Sequence, residues 1–561
     1  MGGRPSGVRC LSWMCSAGRE PAGGPDMVSP GTLALVRLYL EHRRAWGLLP
    51  ESQRGQIGML DAIQQRGEPD AAILLWPGIE RRPAPVRHRA LEIMGLLIGA
   101  AGPHEVLRLV WAASSGSPDW SQSDRERWRN LTPEDVRAVA ADRPACAGLL
   151  VLLSGHPSGY VREAAVLGLE GLTMPWVLPA LGERLNDWVD PVRRAAFRAM
   201  RGFLSAEHAA VLVGSLDLLD GLRRRRRADH QAVLDQIDMV LREPAARPSV
   251  QAGLASPNPV IRRGCYAALL HGADPDPWLA WGLESADPWI VLRAAVAIRA
   301  LSPERVPAGW LDRMADCPHR PVRQLAVEMI GQQGDAARLR GFLVDCSPTL
   351  REFARYYLTR ILGAFEAKEF YREVLAAASD LRRPWLLAGL GETGDGDDVP
   401  ALLSHLAHPR PLTRLAALRA LARLAPPALV DPFLAALADR SDRIRQVAAA
   451  ALAARRSELP AGRLAAWAGS AGPAARRCVV HLLAGHPREV HLPLLLPFLV
   501  DADEQVRGAA ETVCLRGLGW LLNPFLASDP WRAWIEQHGA AWSAAHRTRV
   551  QDLIRARIRG R

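Results

Sequence analysis

The sequence predicts an all-α fold, an α-solenoid (superhelix) of about 12–13 stacked helix-turn-helix repeats. Three observations predict it. Arginines recur from Arg262 through Arg293, Arg323, Arg351, Arg382, Arg414, Arg445 and Arg476 to Arg507, in steps of 31, 30, 28, 31, 32, 31, 31 and 31 residues, and Arg162 and Arg193 are another 31 apart. Each arginine follows a turn and an aliphatic residue and opens a helical run rich in small residues. Alanine, leucine and arginine dominate a chain that is only 6% aromatic, and all three are good helix formers. A stack grows its core along one axis, so 561 residues need not divide into several globular domains.

Residues 1–27 are rich in Gly, Pro and Ser and lack the apolar stretch of a signal peptide, so a disordered segment is expected there. Met27 opens the first helical pattern and is a second candidate start of translation. Residues 28–82 are expected to form N-terminal capping helices, 83–527 the repeats, and 528–561 a Trp-rich cap with a basic helical tail. Within the repeats, the phrase Asp190-Pro191-Val192-Arg193-Arg194-Ala195-Ala196-Phe197 is typical. Asp190 is expected to cap the helix N-terminus, Pro191 loses no hydrogen bond at the first helical position, and Val192, Ala195, Ala196 and Ala199 form the apolar stripe. The wording returns at Asp287-Pro288, His408-Pro409, 439–444 and 501–506, each preceded by a further helical pattern such as 399–406. Arg224 falls 31 residues after Arg193, and Arg382 lies between Arg351 and Arg414, which suggests degenerate repeats in phase with the rest. The polar stretch 114–132 is the expected loop interrupting the stack.

These phrases, with weaker copies at Val86-Arg87 and Val161-Arg162, resemble the short bacterial form of the HEAT repeat over 83–513. The resemblance implies a right-handed solenoid. It also implies a structural role for the ladder Arg162, Arg193, Arg262, Arg293, Arg323, Arg351, Arg414, Arg445, Arg476 and Arg507, tying neighbouring turns through aspartate and carbonyl partners. The phrase Asp529-Pro530-Trp531-Arg532-Ala533-Trp534 resembles the one that follows many bacterial HEAT arrays. Its two tryptophans share a helix face, suited to closing the open end of the core or, alternatively, to docking.

Sequence motifs for chemistry are sparse. Gly389, Gly391 and Gly394 match G-x-G-x-x-G, but a helical run precedes them where a dinucleotide site needs a strand. There is no P-loop, the single lysine Lys368 argues against Schiff-base chemistry, and no G-x-S-x-G elbow occurs. His405 and His408, with Asp395, Asp397 and Asp398 upstream, make no recognisable metal motif, and the one His-Glu dyad, His104-Glu105, departs from the several dyads of the HEAT-type deoxyhypusine hydroxylases. No catalytic residue, metal or cofactor is expected. Eight scattered cysteines without a C-x-x-C pair, and no apolar run of about 18 residues, lead to the expectation of a reduced, cytoplasmic protein.

The net charge of +11 is concentrated in two places. One is the run Arg223, Arg224, Arg225, Arg226 and Arg227; the other is the tail, which includes Arg555, Arg557 and Arg559. In that tail Val550, Ile554 and Ile558 line one helical face, fit for a membrane surface, an acidic groove or the last repeat. The residues following the ladder arginines are mixed in charge, which suits a protein partner better than a continuous polyanion. The expected function is therefore a non-enzymatic scaffold or adaptor for protein partners, with Arg198, Arg355, Tyr356 and Arg419 on the second helices as candidate anchors. The alternatives are a nucleic-acid-binding solenoid using the two arginine clusters and, more remotely, an accessory subunit of a lyase-type enzyme.

Overall fold

A computed structural model describes residues 28–41, 50–79, 82–114, 116–272, 274–377, 379–517 and 544–559. Every regular element among them is a helix. The segment 1–27, Cys10, Cys15 and the phrase containing Trp531 and Trp534 lie outside the described residues. The chain divides into two compact units, one running to Ala294 and the other from Ala295.

The second unit is the more regular. Helix pairs follow one another as Ala308–Ala315 with Arg320–Gln333, Ala336–Phe342 with Pro348–Leu362, Ala367–Ala376 with Arg383–Thr393, Val399–Ser404 with Pro411–Leu424, Asp431–Ala436 with Asp442–Ala454, and Ala461–Ala468 with Pro473–Leu483. Within a pair the two helices pack on each other, and each second helix packs on the next. Proline opens many of these helices at the first or second position, where its missing N–H costs nothing. Gly334 ends one of them in the left-handed conformation at φ 76°, which other residues adopt at a cost.

Small residues set the spacing. A Cβ on Gly391 would sit 2.7 Å from the Cα of Ala420, so Arg383–Thr393 and Pro411–Leu424 touch almost backbone to backbone. A Cβ on Gly389 would meet the ring of the fully buried Tyr371. Gly389 and Gly391 of the G-x-G-x-x-G match thus serve helix packing, and Gly394 ends the helix.

The first unit contains pairs of the same kind, such as Ala147–Leu153 with Gly159–Leu169 and Val177–Arg184 with Asp190–Met200, over one continuous core. The polar stretch 114–132 departs from expectation. Instead of a plain loop it forms the helix Gln122–Arg129 and buries Trp120 and Trp128; Trp128 meets Trp76 edge-on at a centroid separation of 5.1 Å and Trp120 at a tilt at 5.2 Å. Two tryptophans outweigh a polar composition, since each brings 150–250 Å² of buried surface. Residues 201–230 also depart. They break into short turns and the two six-residue helices Ala209–Gly214 and Leu216–Gly221.

The tail helix Ala544–Arg559 packs on Arg488–Leu499 and Glu504–Gly517, with Val550 buried and Arg549 paired with Glu511. That contact favours the packed reading of the tail over a membrane-surface one. Among the described residues no helix is long and apolar enough to cross a membrane.

Candidate docking site

The ladder arginines end in closed clips. Arg162 donates from Nε and Nη2 to the Asp187 carboxylate at 2.9 and 2.8 Å, and from Nη1 to the carbonyls of His156 and Pro157. Arg193, one repeat later, donates to the carbonyl of the same Asp187 at 2.8 Å. Asp345 is held in the same way by Arg323 and Arg351, Asp439 by Arg414 and Arg445, and Asp501 by Arg476 and Arg507. Each aspartate also accepts from the backbone N–H two residues on, an Asx turn that fixes the interhelical bend. One aspartate therefore gathers two arginines from successive repeats and locks a pair of them. Arg262 and Arg263 share Asp287, while Arg293 lies over the Trp289 ring at 5.4 Å.

The clips do not form an unbroken chain. Arg193 and Arg445 turn back on Asp190 and Asp442 in their own helices. Arg351 reaches Glu392 instead. Three sequence expectations are corrected here. Asp190 lies inside its helix and makes no cap, its carboxylate being taken by Arg193 and Arg194; the turn is organised by Asp187. Arg382 precedes the helix Arg383–Thr393 and is exposed, and Arg224 is exposed at the end of the turn Leu222–Arg224, so neither occupies the ladder position within a second helix.

The clips carry a pH dependence. Burial raises the Asp187 carboxyl, but the hydrogen bonds from Arg162 and the Val189 N–H outweigh it and hold the group below the usual range; Asp439 is likewise lowered, and Asp501 is lowered chiefly by Arg476. A carboxylate lowered in the fold contributes stability that is complete above the unfolded pKa of about 3.9 and is lost as pH falls through the folded value. The clip contribution to the thermal midpoint is expected to be constant from neutrality to about pH 5 and to fall below about pH 4, and the fall is expected to be less steep in an Asp187→Asn variant. Calorimetry over a pH series checks this; equal slopes in both proteins would count against it.

The second helices of the first unit pack side by side up to Asp190–Met200, but the next one, Gln231–Arg242, meets it far less closely. A cleft of about 710 Å³ opens between them. The irregular segment 201–230 causes it, because its short helices do not bring Gln231–Arg242 back into register. The displaced helix is nonetheless held: His230 Nε2 lies 3.2 Å from Asn186 Oδ1, and Arg225 binds Glu183 at 2.8 Å. Burial, and secondarily Arg225, lowers the His230 pKa, so the ring is neutral at physiological pH.

Apolar side chains of Leu185, Ala195, Phe197 and Val233 line the cleft, with Glu163, Arg193, Arg194, Arg198 and Asp229 around them. Phe197 is 38% exposed, although Val192, Ala195 and Ala196 of its phrase are buried. Arg198 is exposed beside it and approaches Glu170 only at 3.9 Å. Of the four candidate anchors, then, Arg198 lines the cleft. Arg419 and Tyr356 are exposed on second helices of the other unit, whereas Arg355 is turned inward onto Glu392 at 2.9 Å. Arg355 is corrected on that ground: its charge is spent inside the fold. Sequence reasoning passed over Phe197, whose signal was its place off the Val192–Ala195–Ala196–Ala199 stripe.

The basic run is exposed throughout, but Arg223 pairs with Asp220 and Asp238, and Arg225 with Glu183. The side chains of Arg555, Arg557 and Arg559 lie outside the described residues. Asp395 binds Lys368 and Arg372, Asp398 binds Arg372, and His408 faces Asp380, so the sequence cluster around His405 and His408 is dispersed into ion pairs. Among the described residues no group of three or more metal-ligating side chains converges.

Residues 368–453 and 399–471 match the family model for HEAT repeats. The chain carries HEAT repeats over this segment. The matched HEAT segment coincides with the most regular pairs, including the clip of Arg414, Asp439 and Arg445. Among solved structures, an engineered protein from the Northeast Structural Genomics Consortium is 15% identical, over 80% of this chain and 98% of its own, with a TM-score of 0.17. A chain from a structure of tubulin recruitment and assembly by microtubule polymerases with tumor overexpressed gene domain arrays is 10% identical, over 82% of this chain and 98% of its own, with a TM-score of 0.25. At those TM-scores neither likeness bears on what this chain does. No curated protein matches the chain.

Proposed function

We propose that this HEAT-repeat chain is a non-enzymatic scaffold that holds protein partners on its second-helix faces, with the cleft between Asp190–Met200 and Gln231–Arg242 as an anchor point. The observation that carries the reading is the half-exposed Phe197 beside the exposed Arg198, set where the second-helix layer opens. An aromatic ring and an arginine at the wall of an apolar cleft make the kind of anchor that dominates binding energy at protein interfaces. A cytoplasmic setting accords with six unpaired cysteines among the described residues. The domain reading of 28–82 as an N-terminal cap and 528–561 as a terminal cap with a basic tail belongs to the same proposal.

A nucleic-acid reading has one observation in its favour, the exposed Arg224, Arg226 and Arg227. Three charges at one turn do not make a phosphate-tracking stripe along the stack. The test is affinity capture from nuclease-treated lysate with the wild-type chain and a Phe197→Asp/Arg198→Glu variant. Both substituted side chains are exposed, so the variant is expected to keep its helicity and thermal midpoint. Partners retained by the wild type and lost by at least about tenfold in the variant are the expected result. Partners that bind both proteins equally, or that vanish with nuclease, overturn it.

A further inference from the structure

A separate cleft of about 720 Å³ lies along the turns of the first unit, and its charge is unlike that of the docking cleft. Arg129, Arg162, Arg184 and Arg227 line it, with Glu183 and Asp187. Both carboxylates are already engaged. Asp187 accepts from Arg162 and Arg184, and Glu183 from Arg225. Four arginines thus line the cleft beside two acids that are already paired. Arg129 and Arg227 are exposed and carry no ion pair among the described residues. They reach the cleft from different elements, one from the end of the helix Gln122–Arg129 and the other from the turn that follows Leu222–Arg224. The Nε of Arg184 is buried without a hydrogen-bond acceptor.

Trp188 completes the site. Its residue is 72% exposed, an unusual state for so large a ring, and the Arg162 guanidinium lies 5.9 Å from its centroid. The arginine is fixed by its clip to Asp187, so the indole is carried on a rigid base. Apart from Trp188 most of the side chains that line it are polar, and no large aliphatic or phenyl side chain joins them, whereas Leu185, Phe197 and Val233 line the other cleft. What remains is a ring platform beside uncommitted positive charge. Aromatic stacking next to positive charge is a usual means of holding a base and its phosphate.

We propose that this cleft binds a nucleoside phosphate, with the phosphate between Arg129 and Arg227 and the base stacked on Trp188. The ligand is either a free nucleotide or a nucleotide within a single strand, and the recognition chemistry is the same for both.

The test is fluorescence anisotropy of the full chain with N-methylanthraniloyl-ADP, and separately with a fluorescein-labelled dodecathymidylate. Wild-type protein is expected to bind at least one probe, more weakly as salt rises. An Arg129→Glu/Arg227→Glu variant is expected to lose about tenfold or more, and Trp188→Ala about tenfold. Arg198→Glu, in the docking cleft, is expected to leave binding unchanged and so separates this site from the proposed scaffold function. Competition of the oligonucleotide with the nucleotide probe assigns the site to single strands; binding of the nucleotide probe without competition assigns it to the free ligand. The proposal is overturned if neither probe binds at millimolar concentration, if the arginine reversals leave binding intact in a protein of unchanged circular dichroism, or if phosphotyrosine displaces the probe as well as ADP does.

Discussion

Replacing Asp187 by alanine is expected to lower the unfolding temperature of the first unit more than the loss of any other clip aspartate. The reason is the number of buried charges left behind. Its side chain is 1% exposed and faces Arg162 at 4% and Arg184 at 13%. Removing it leaves the buried Arg162 guanidinium with carbonyl partners alone and Arg184 with Glu183 at 3.8 Å, and frees the Val189 N–H that it accepted. Breaking a buried pair from one side costs about 3–5 kcal/mol, because the remaining charge stays uncompensated. For a unit of this size each kcal/mol moves the midpoint by about 2–4 °C, so a drop on the order of 10 °C is expected. Asp439 and Asp501 hold arginines that are 17% and 22% exposed, and water recovers part of what is lost there. Their alanine variants are expected to cost about 1–2 kcal/mol each. Asp187→Asn keeps an acceptor for Val189 but not the charge, and should fall close to alanine. Calorimetry on the full chain, with hydrogen exchange at Gly159–Leu169 and Asp190–Met200 to assign the transition, checks the order. An Asp187→Ala shift no larger than that of Asp439→Ala would remove the argument from burial.

The same aspartate shows what the sequence does and does not disclose. The arginine period was legible because a ladder position is fixed relative to the helix it opens, so its spacing survives in the chain. The family resemblance supplied the expectation of aspartate and carbonyl partners, and the geometry names them. The partners themselves were harder to pick out. Asp187 and Asp345 stand in turns of differing length, 25 and 22 residues after their arginines, and the nearer Asp190 competes for the role of cap. Arg382 and Arg224 kept the phase but not the place, since a period counts residues while a clip needs a helix start at the right height. The cleft was less legible still. It arises from a packing failure over 201–230, and nothing in a single apolar stripe reports how far apart two stripes will sit. Arg198 in one cleft and Arg227 in the other were already visible in the sequence; the further trace of each site was an exposed aromatic beside a ladder phrase, Phe197 and Trp188.

Packing also governs the second large effect, at Gly391. The helix Arg383–Thr393 lies so close to Pro411–Leu424 that a Cβ at Gly391 would stand 2.6 Å from the Cβ and 2.7 Å from the Cα of Ala420. A flexible side chain could swing aside, but a Cα cannot move without its helix. Gly391→Ala therefore has two opposed terms. Helix propensity favours alanine by about 1 kcal/mol, while overpacking a tight interior costs about 1–3 kcal/mol or more. The second term wins here because the obstruction is backbone, and a net loss of about 1–2 kcal/mol is expected, with Gly391→Val worse. Ala420→Gly alone should also destabilise, by about 1 kcal/mol, through propensity and lost contact. In the double variant the Cβ–Cβ clash is gone and only the approach to Cα remains. The two changes should then cost less together than the sum of the singles, a coupling of about 0.5 kcal/mol or more in a double-mutant cycle. Denaturant unfolding of the four proteins, followed by hydrogen exchange in Pro411–Leu424, measures it. Strict additivity would mean that the helices separate freely, and the close approach of these two HEAT pairs would then not be what holds this part of the stack in register.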